Sequence, residues 1–217
     1  MRRSFPASLI LFSLLISSCS TGTPPPATPQ VVSFYSSSAA QPWLSELYDC
    51  AAGQGNVVLS RVDDPDAAEI GLRIGEPEFL SSFAYQIDNE EIMIVTQRQS
   101  PIQNLTFDDA RALFMGLGDA HASVQVWVYA SGEDVQRVFD QFVMAGRSVT
   151  PTARVAVSPQ QMSDTLVNEP NTVGILPRHW KAGDSREVLS VATVPVLALT
   201  KTEPQGVVKS LIVCLQK

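Results

Sequence analysis

Catalysis needs groups that exchange protons, attack electrophilic centres or hold metals, and this chain offers few of them at useful spacing. Its two histidines, His121 and His179, have no cysteine, histidine or carboxylate at metal-ligand spacing. No G-x-S-x-G elbow, P-loop or G-x-G-x-x-G turn occurs. The acidic cluster Asp88-Asn-Glu-Glu91 reads as a solvated turn before a strand, because it lacks the loop spacing of calcium ligation. Asn104-Leu-Thr106 fits a glycosylation sequon, but Thr106 is better placed as a helix cap. With no nucleophile–base pair and no metal set, the expectation is a protein that is not an enzyme and carries no cofactor.

The three cysteines divide by position. Arg2 and Arg3, the apolar stretch Leu9 to Ile16, and Ile16-Ser-Ser-Cys19 have the layout of a secretory signal. The apolar stretch is about half of the ~20 residues that span a bilayer. The small residues before Cys19 resemble the lipobox of bacterial lipoproteins, which implies a cleaved signal over 1–18 and a lipid on Cys19. Residues 19–30 are uncharged and rich in proline and threonine, a spacer that cannot bury enough surface to fold. The expected location is therefore extracytoplasmic, on the outer face of the cell membrane; Ser20 after the cysteine also allows an outer membrane. Cys50 and Cys214 are left as an even pair in an oxidising compartment, either a disulfide or two buried thiols.

The whole sequence carries 15 basic and 22 acidic residues, a net of −7, and loss of Arg2 and Arg3 takes the mature chain to about −9. No lysine or arginine run interrupts this, so nucleic acid and anionic lipid headgroups are disfavoured as partners. Beyond the spacer, the patterning alternates. Val31–Tyr35, Asn56–Ser60, Ala68–Ile74, Glu91–Thr96, Val124–Tyr129, Arg154–Val157, Thr172–Leu176 and Val194–Leu199 read as strands. Helical spacing follows in Trp43–Gly53, from Phe107 to Phe114 after Thr106, from a Ser131 cap to near Gly146, after Ser158-Pro159, and over Gly206–Leu215. Strands alternating with helices predict an α/β fold with mostly parallel pairing.

Several segments, in order, are similar to one family. Ser100-Pro101-Ile-Gln-Asn-Leu105-Thr106-Phe-Asp-Asp-Ala-Arg111-Ala-Leu-Phe114-Met-Gly116 resembles the segment that opens the second lobe of phosphate ABC-transporter substrate-binding proteins. Val126-Trp-Val-Tyr129 with Gly132 and Phe139 occupies the place of that family's R-x-x-G-S-G-T-x-x-x-F; Val173-Gly-Ile-Leu-Pro177 and Pro195-Val-Leu-Ala-Leu199 follow. The resemblance covers roughly 31–216 and implies a two-lobed type-2 periplasmic-binding fold with a two-strand hinge. Lobe one would hold 31–95 plus 195–217 and lobe two 96–194, with the ligand in the cleft between them. It also implies a small-molecule ligand, an ABC permease as partner, and a monomer.

In that family a hydroxyl loop, an arginine and a G-S-G-T turn grip phosphate. Ser36, Ser37 and Ser38 match the hydroxyl loop, or form a plain turn before a helix. Tyr129 stands at the arginine position, as a cleft wall or a strand-end aromatic; Ser131 follows it. Glu133, Asp134 and Val135 stand where the serine, glycine and threonine would be. Two carboxylates ~4 Å from a phosphate would each oppose it by several kcal/mol at intermediate dielectric. Arg73 could give the cleft a positive charge, although a surface ion pair with Glu69 or Glu76 is the simpler expectation. Trp43, Trp127 and Trp180 are read as packing or as ligand-stacking groups. Two functions stay open: a solute-binding protein of an uptake system with an altered ligand, an anion among those considered, or a non-transporting sensory or interaction module. An unpaired Arg73 opposite an open Tyr129–Val135 segment would favour the first.

Overall fold

The computed structural model describes residues 28–77, 83–117 and 123–217. Cys19, the signal segment, most of the spacer and His121 lie outside the described residues. The strands are β1 (Gln30–Ser36), β2 (Val57–Arg61), β3 (Ile70–Ile74), β4 (Phe83–Thr96), β5 (Gln125–Tyr129), β6 (Arg154–Ala156), β7 (Thr172–Pro177) and β8 (Arg186–Thr200). The helices are α1 (Leu44–Gly53), α2 (Phe107–Phe114), α3 (Asp134–Phe139), α4 (Pro159–Asn168) and α5 (Gly206–Leu215).

All eight strands join one sheet in the order β2-β1-β3-β8-β4-β7-β5-β6. The parallel pairing predicted from alternation is found at both ends, where β1 pairs with β2 and β3, and β5 with β6 and β7. The centre is different. β4 and β8 run antiparallel to each other from Phe83–Thr200 to Thr96–Arg186. β8 meets β3 through Val196–Leu199, and β4 meets β7 through Ile92–Thr96, both antiparallel. One half of the molecule is thus built on β2-β1-β3 and the other on β7-β5-β6, with β4 and β8 running through both. In β4, the run Ile92–Thr96 already pairs with the β7 half.

β4 also corrects the reading of Asp88–Glu91 as a solvated turn. These residues lie inside the strand, and Glu90 is almost fully buried. Distant partners make this affordable: Trp43 Nε1 donates to Asp88 Oδ2 at 2.9 Å, and the His179 backbone N–H and imidazole Nδ1 meet the Glu90 carboxylate. The mostly parallel pairing expected of the strands does not extend to Glu91–Thr96, since both its neighbours are antiparallel.

Local signals set most helix boundaries. Thr106 and Asp109 form a reciprocal capping box at α2, and Ser158 accepts from the Gln161 N–H with Pro159 at the first position of α4. Ser131, expected to cap the next helix, does not: it is exposed in a turn, and α3 begins at Asp134 after Glu133. α3 then widens into a π-type turn over Asp140–Met144, which closes with Ala145 in the left-handed region. One apolar core runs through both halves, from Phe34 and Trp43 to Phe114 and Phe139, whose ring centroids are 4.6 Å apart. Cys50 of α1 and Cys214 of α5 form a disulfide with Cα atoms 5.9 Å apart. No helix among the described residues is long and apolar enough to cross a membrane.

Candidate functional site

A cavity of about 370 Å³ runs along β3, from Asp66 and Ala68 before it to Arg73 near its carboxyl end, where with the end of β1 it faces the turn before α3. Its first wall comes from Tyr35, Ser37, Leu72 and Arg73; its second from Gly132, Glu133 and Asp134; its floor from Leu199 to Lys201 at the end of β8. Carboxyl ends of strands are where open α/β sheets place ligands, because loops there diverge and leave a crevice.

Charge inside it is arranged by Asp134. This side chain is 4% exposed, and its Oδ1 accepts from Arg73 Nη2 and Arg137 Nη2, each at 2.5 Å. Its Oδ2 accepts from the Ile74 backbone N–H at 3.0 Å. Burial pushes the Asp134 carboxyl above the ordinary aspartate range, against the opposing pull of Arg73, the nearby Ser37 hydroxyl and the Ile74 N–H. Ser37 Oγ is buried and makes no hydrogen bond of ordinary geometry, and Arg73 Nε is likewise buried without an acceptor. Glu133 takes a different partner, accepting from Ser38 Oγ at 3.2 Å. Tyr35, beside both carboxylates, has its hydroxyl pKa raised, first by burial and then by Asp134 and Glu133. At the cavity mouth, Lys201 Nζ meets the Asp66 carbonyl and lies 4.0 Å from its carboxylate.

The candidate residues therefore separate. Ser37, Ser38 and Arg73 converge on Glu133 and Asp134. Ser36 turns its hydroxyl to the Ser37 carbonyl at 3.0 Å and does not line the cavity. Tyr129 and Ser131 lie together in another depression, with Gln136 and Asp140. There the Tyr129 ring is buried, its hydroxyl has no hydrogen-bond partner, and burial with Glu133 raises its pKa well above the usual tyrosine value. Arg73 is the clear correction: it pairs with Asp134, not with Glu69 or Glu76, and Glu69 instead accepts from the Ser33 backbone and hydroxyl. Tyr35, Asp66 and Lys201 were not anticipated; Lys201 could have been, as the first charge after the apolar run ending β8.

The tryptophans act in packing. Trp43 packs against His179 with ring centroids 4.6 Å apart and planes tilted by 57°, Trp180 Nε1 donates to the Ala39 carbonyl, and the Arg154 guanidinium lies 5.7 Å over Trp127. Among the described residues no group of three or more histidine, cysteine or carboxylate side chains could hold a metal ion.

No family model and no curated protein matches the sequence. Solved structures do match. A Clostridium perfringens protein described as a phosphate ABC transporter substrate-binding protein, with bound phosphate, superposes with a TM-score of 0.76 at 14% identity, over 86% of this chain and 93% of that one. The fold is that of the type-2 periplasmic-binding proteins. An ABC-type phosphate transport receptor from Vibrio cholerae gives 0.65 at 14% identity, over 86% and 93%. The same fold serves elsewhere: the CcmR regulatory domain of Synechocystis PCC6803, in complex with 2-PG, gives 0.66 at 9% identity, over 86% and 96%.

Proposed function

We propose that the chain is an extracytoplasmic solute-binding protein of an ABC uptake system, anchored by lipid on Cys19, whose cleft takes a small ligand other than phosphate. The observation that carries this reading is the cavity shared by both halves, with Tyr35, Ser37 and Arg73 on one wall and Glu133 and Asp134 on the other. A solute there would touch both halves at once, and hinge closure gains free energy only from contacts of that kind. The lobes would be close to 31–95 plus 195–217 and 96–194, with the β4 boundary a few residues earlier because Ile92–Val95 already pair with β7, and the bend where β4 and β8 pass from one half to the other. Phosphate would fit poorly, because Glu133 and Asp134 line the second wall and their negative charge opposes an anion.

A second reading, a non-transporting surface module on the same scaffold, draws on the contacts that already join the halves. Arg73–Asp134, Ser38–Glu133 and Trp180–Ala39 tie them together without a solute. The unpaired Arg73 beside an open Tyr129–Val135 segment that would favour transport is not found, since Arg73 is paired and Tyr129 is buried. Fold does not choose between the two. A thermal-shift screen of the purified domain against anions, sugars and amino acids does. A ligand at ~100 times its Kd adds about 2.7 kcal/mol, so a genuine solute gives a clear rise. Phosphate is expected to bind more weakly than ~1 mM. A stabilising solute supports the transport reading, no response across the three classes transfers support to the second, and micromolar phosphate binding overturns the altered-ligand assignment. The anchor has its own test: Cys19→Ala should abolish lipid labelling and detergent-phase partitioning.

A further inference from the structure

We propose that Asp134 is an internal ligand: its carboxylate holds the position of an oxyanion between β3 and α3, and it is the residue that keeps oxyanions out of the cleft. This deepens the solute-binding reading by naming what the cleft rejects and which atom rejects it. Two guanidiniums converge on one oxygen of Asp134 while a backbone N–H serves the other. One carboxylate charge thus faces two cations. Four donors serve it, Arg73, Arg137, the Ile74 N–H and the Ser37 hydroxyl, while the neighbouring Glu133 carboxylate opposes it. Guanidinium forks, a main-chain N–H and a hydroxyl match a tetrahedral oxyanion such as phosphate or sulfate. One feature shows that the donors are not exhausted by the carboxylate: Arg73 Nε is buried with no acceptor. Glu133, the neighbouring carboxylate in this wall, is turned to Ser38.

The test replaces the internal ligand and offers an external one. Asp134→Ser removes the carboxylate and leaves the donors; Asp134→Asn keeps its shape and removes its charge. Each variant is compared with the wild type by thermal shift and calorimetry, with sodium phosphate and sodium sulfate as probes and chloride at matched ionic strength as control. The wild type should show no specific shift. Asp134→Ser should gain a Tm rise of about 3–6 °C at ten times the new Kd. Adding Arg73→Gln to that variant should abolish the gain. Near-UV circular dichroism reports whether each variant is folded, and the isosteric Asp134→Asn, which should show a smaller gain, serves if Asp134→Ser does not fold. A folded variant that neither anion stabilises beyond chloride overturns the proposal, as does a gain that survives Arg73→Gln. These outcomes are separable from the functional reading, because a solute found by screening the wild type would stand even if the variants stayed blind to oxyanions.

Discussion

Asp134 is a side chain whose ionisation the fold opposes even while two arginines contact it. Burial is the largest influence on its carboxyl, and the pKa in the folded chain is raised from 3.8. A carboxyl with a raised folded pKa binds its proton more tightly in the folded than in the unfolded chain. Its stabilising contribution is therefore fully present below about pH 3.8 and is lost as pH rises through the folded pKa. Asp134→Asn has no such titration, so wild-type stability should fall relative to this variant across that window and run parallel to it above. Urea midpoints of both proteins at several pH values from 3.5 upward measure the difference; a constant gap, or one that moves the other way, rules the assignment out. A constant offset is expected in addition, because the amide leaves Arg73 and Arg137 without a counter-charge. Little of this was legible in sequence. Glu133 and Asp134 could be seen as two carboxylates hostile to phosphate, but Arg73 lies 61 positions from Asp134, and nothing local distinguishes that partner from Glu69 or Glu76.

At the scale of elements, the helices and short strands were largely readable, because their signals are local: a hydroxyl cap at Thr106 and Ser158, alternation in β5, an apolar face on α5. β4 was only half readable. Ile92–Thr96 is apolar and announces itself, whereas Gln86 to Glu91 is polar and resembles a turn until Trp43 and His179 arrive from elsewhere in the chain. The same dependence on distant neighbours appears at Gly174 in β7. A Cβ built there would lie 2.5 Å from Met162 Sδ on α4 and 3.4 Å from Trp127 Cβ on β5. The glycine lets α4 lie close on the sheet, and Met162, fully buried, has little room to yield. Gly174→Ala should cost about 1–3 kcal/mol by overpacking. Combined with Met162→Ala, part of that cost should be recovered, a coupling of about 0.5–3 kcal/mol in a double-mutant cycle from chemical denaturation. Strict additivity would mean that the close approach of α4 and β7 is not what the glycine serves.

For the whole molecule, what matters is how the chain leaves the first half and returns to it. β4 carries it out, β8 brings it back, and α5 then packs beside α1. Two crossing strands make a hinge but a weak tie, since either end of the domain could peel away while the β7-β5-β6 half stayed folded. The Cys50–Cys214 disulfide joins those ends across 164 positions, enclosing the whole of the second half. The even pair was visible in sequence; that α1 and α5 become neighbours follows only from the return of β8. Closing so long a loop in the unfolded chain stabilises by about 5 kcal/mol in the entropic description. For a domain of this size each kcal/mol is worth ~2–4 °C in Tm, so Cys50→Ala with Cys214→Ala should melt about 10–20 °C lower. Reduction of the wild type should reproduce the same loss, and oxidised and reduced forms of the double variant should coincide. The lost constraint belongs to the unfolded chain, so the cleft should survive it: any solute that stabilises the wild type should still stabilise the double variant below its lower Tm. A fall of less than ~2 °C would show that the unfolded chain is compact enough without the bridge to have little entropy left for it to remove.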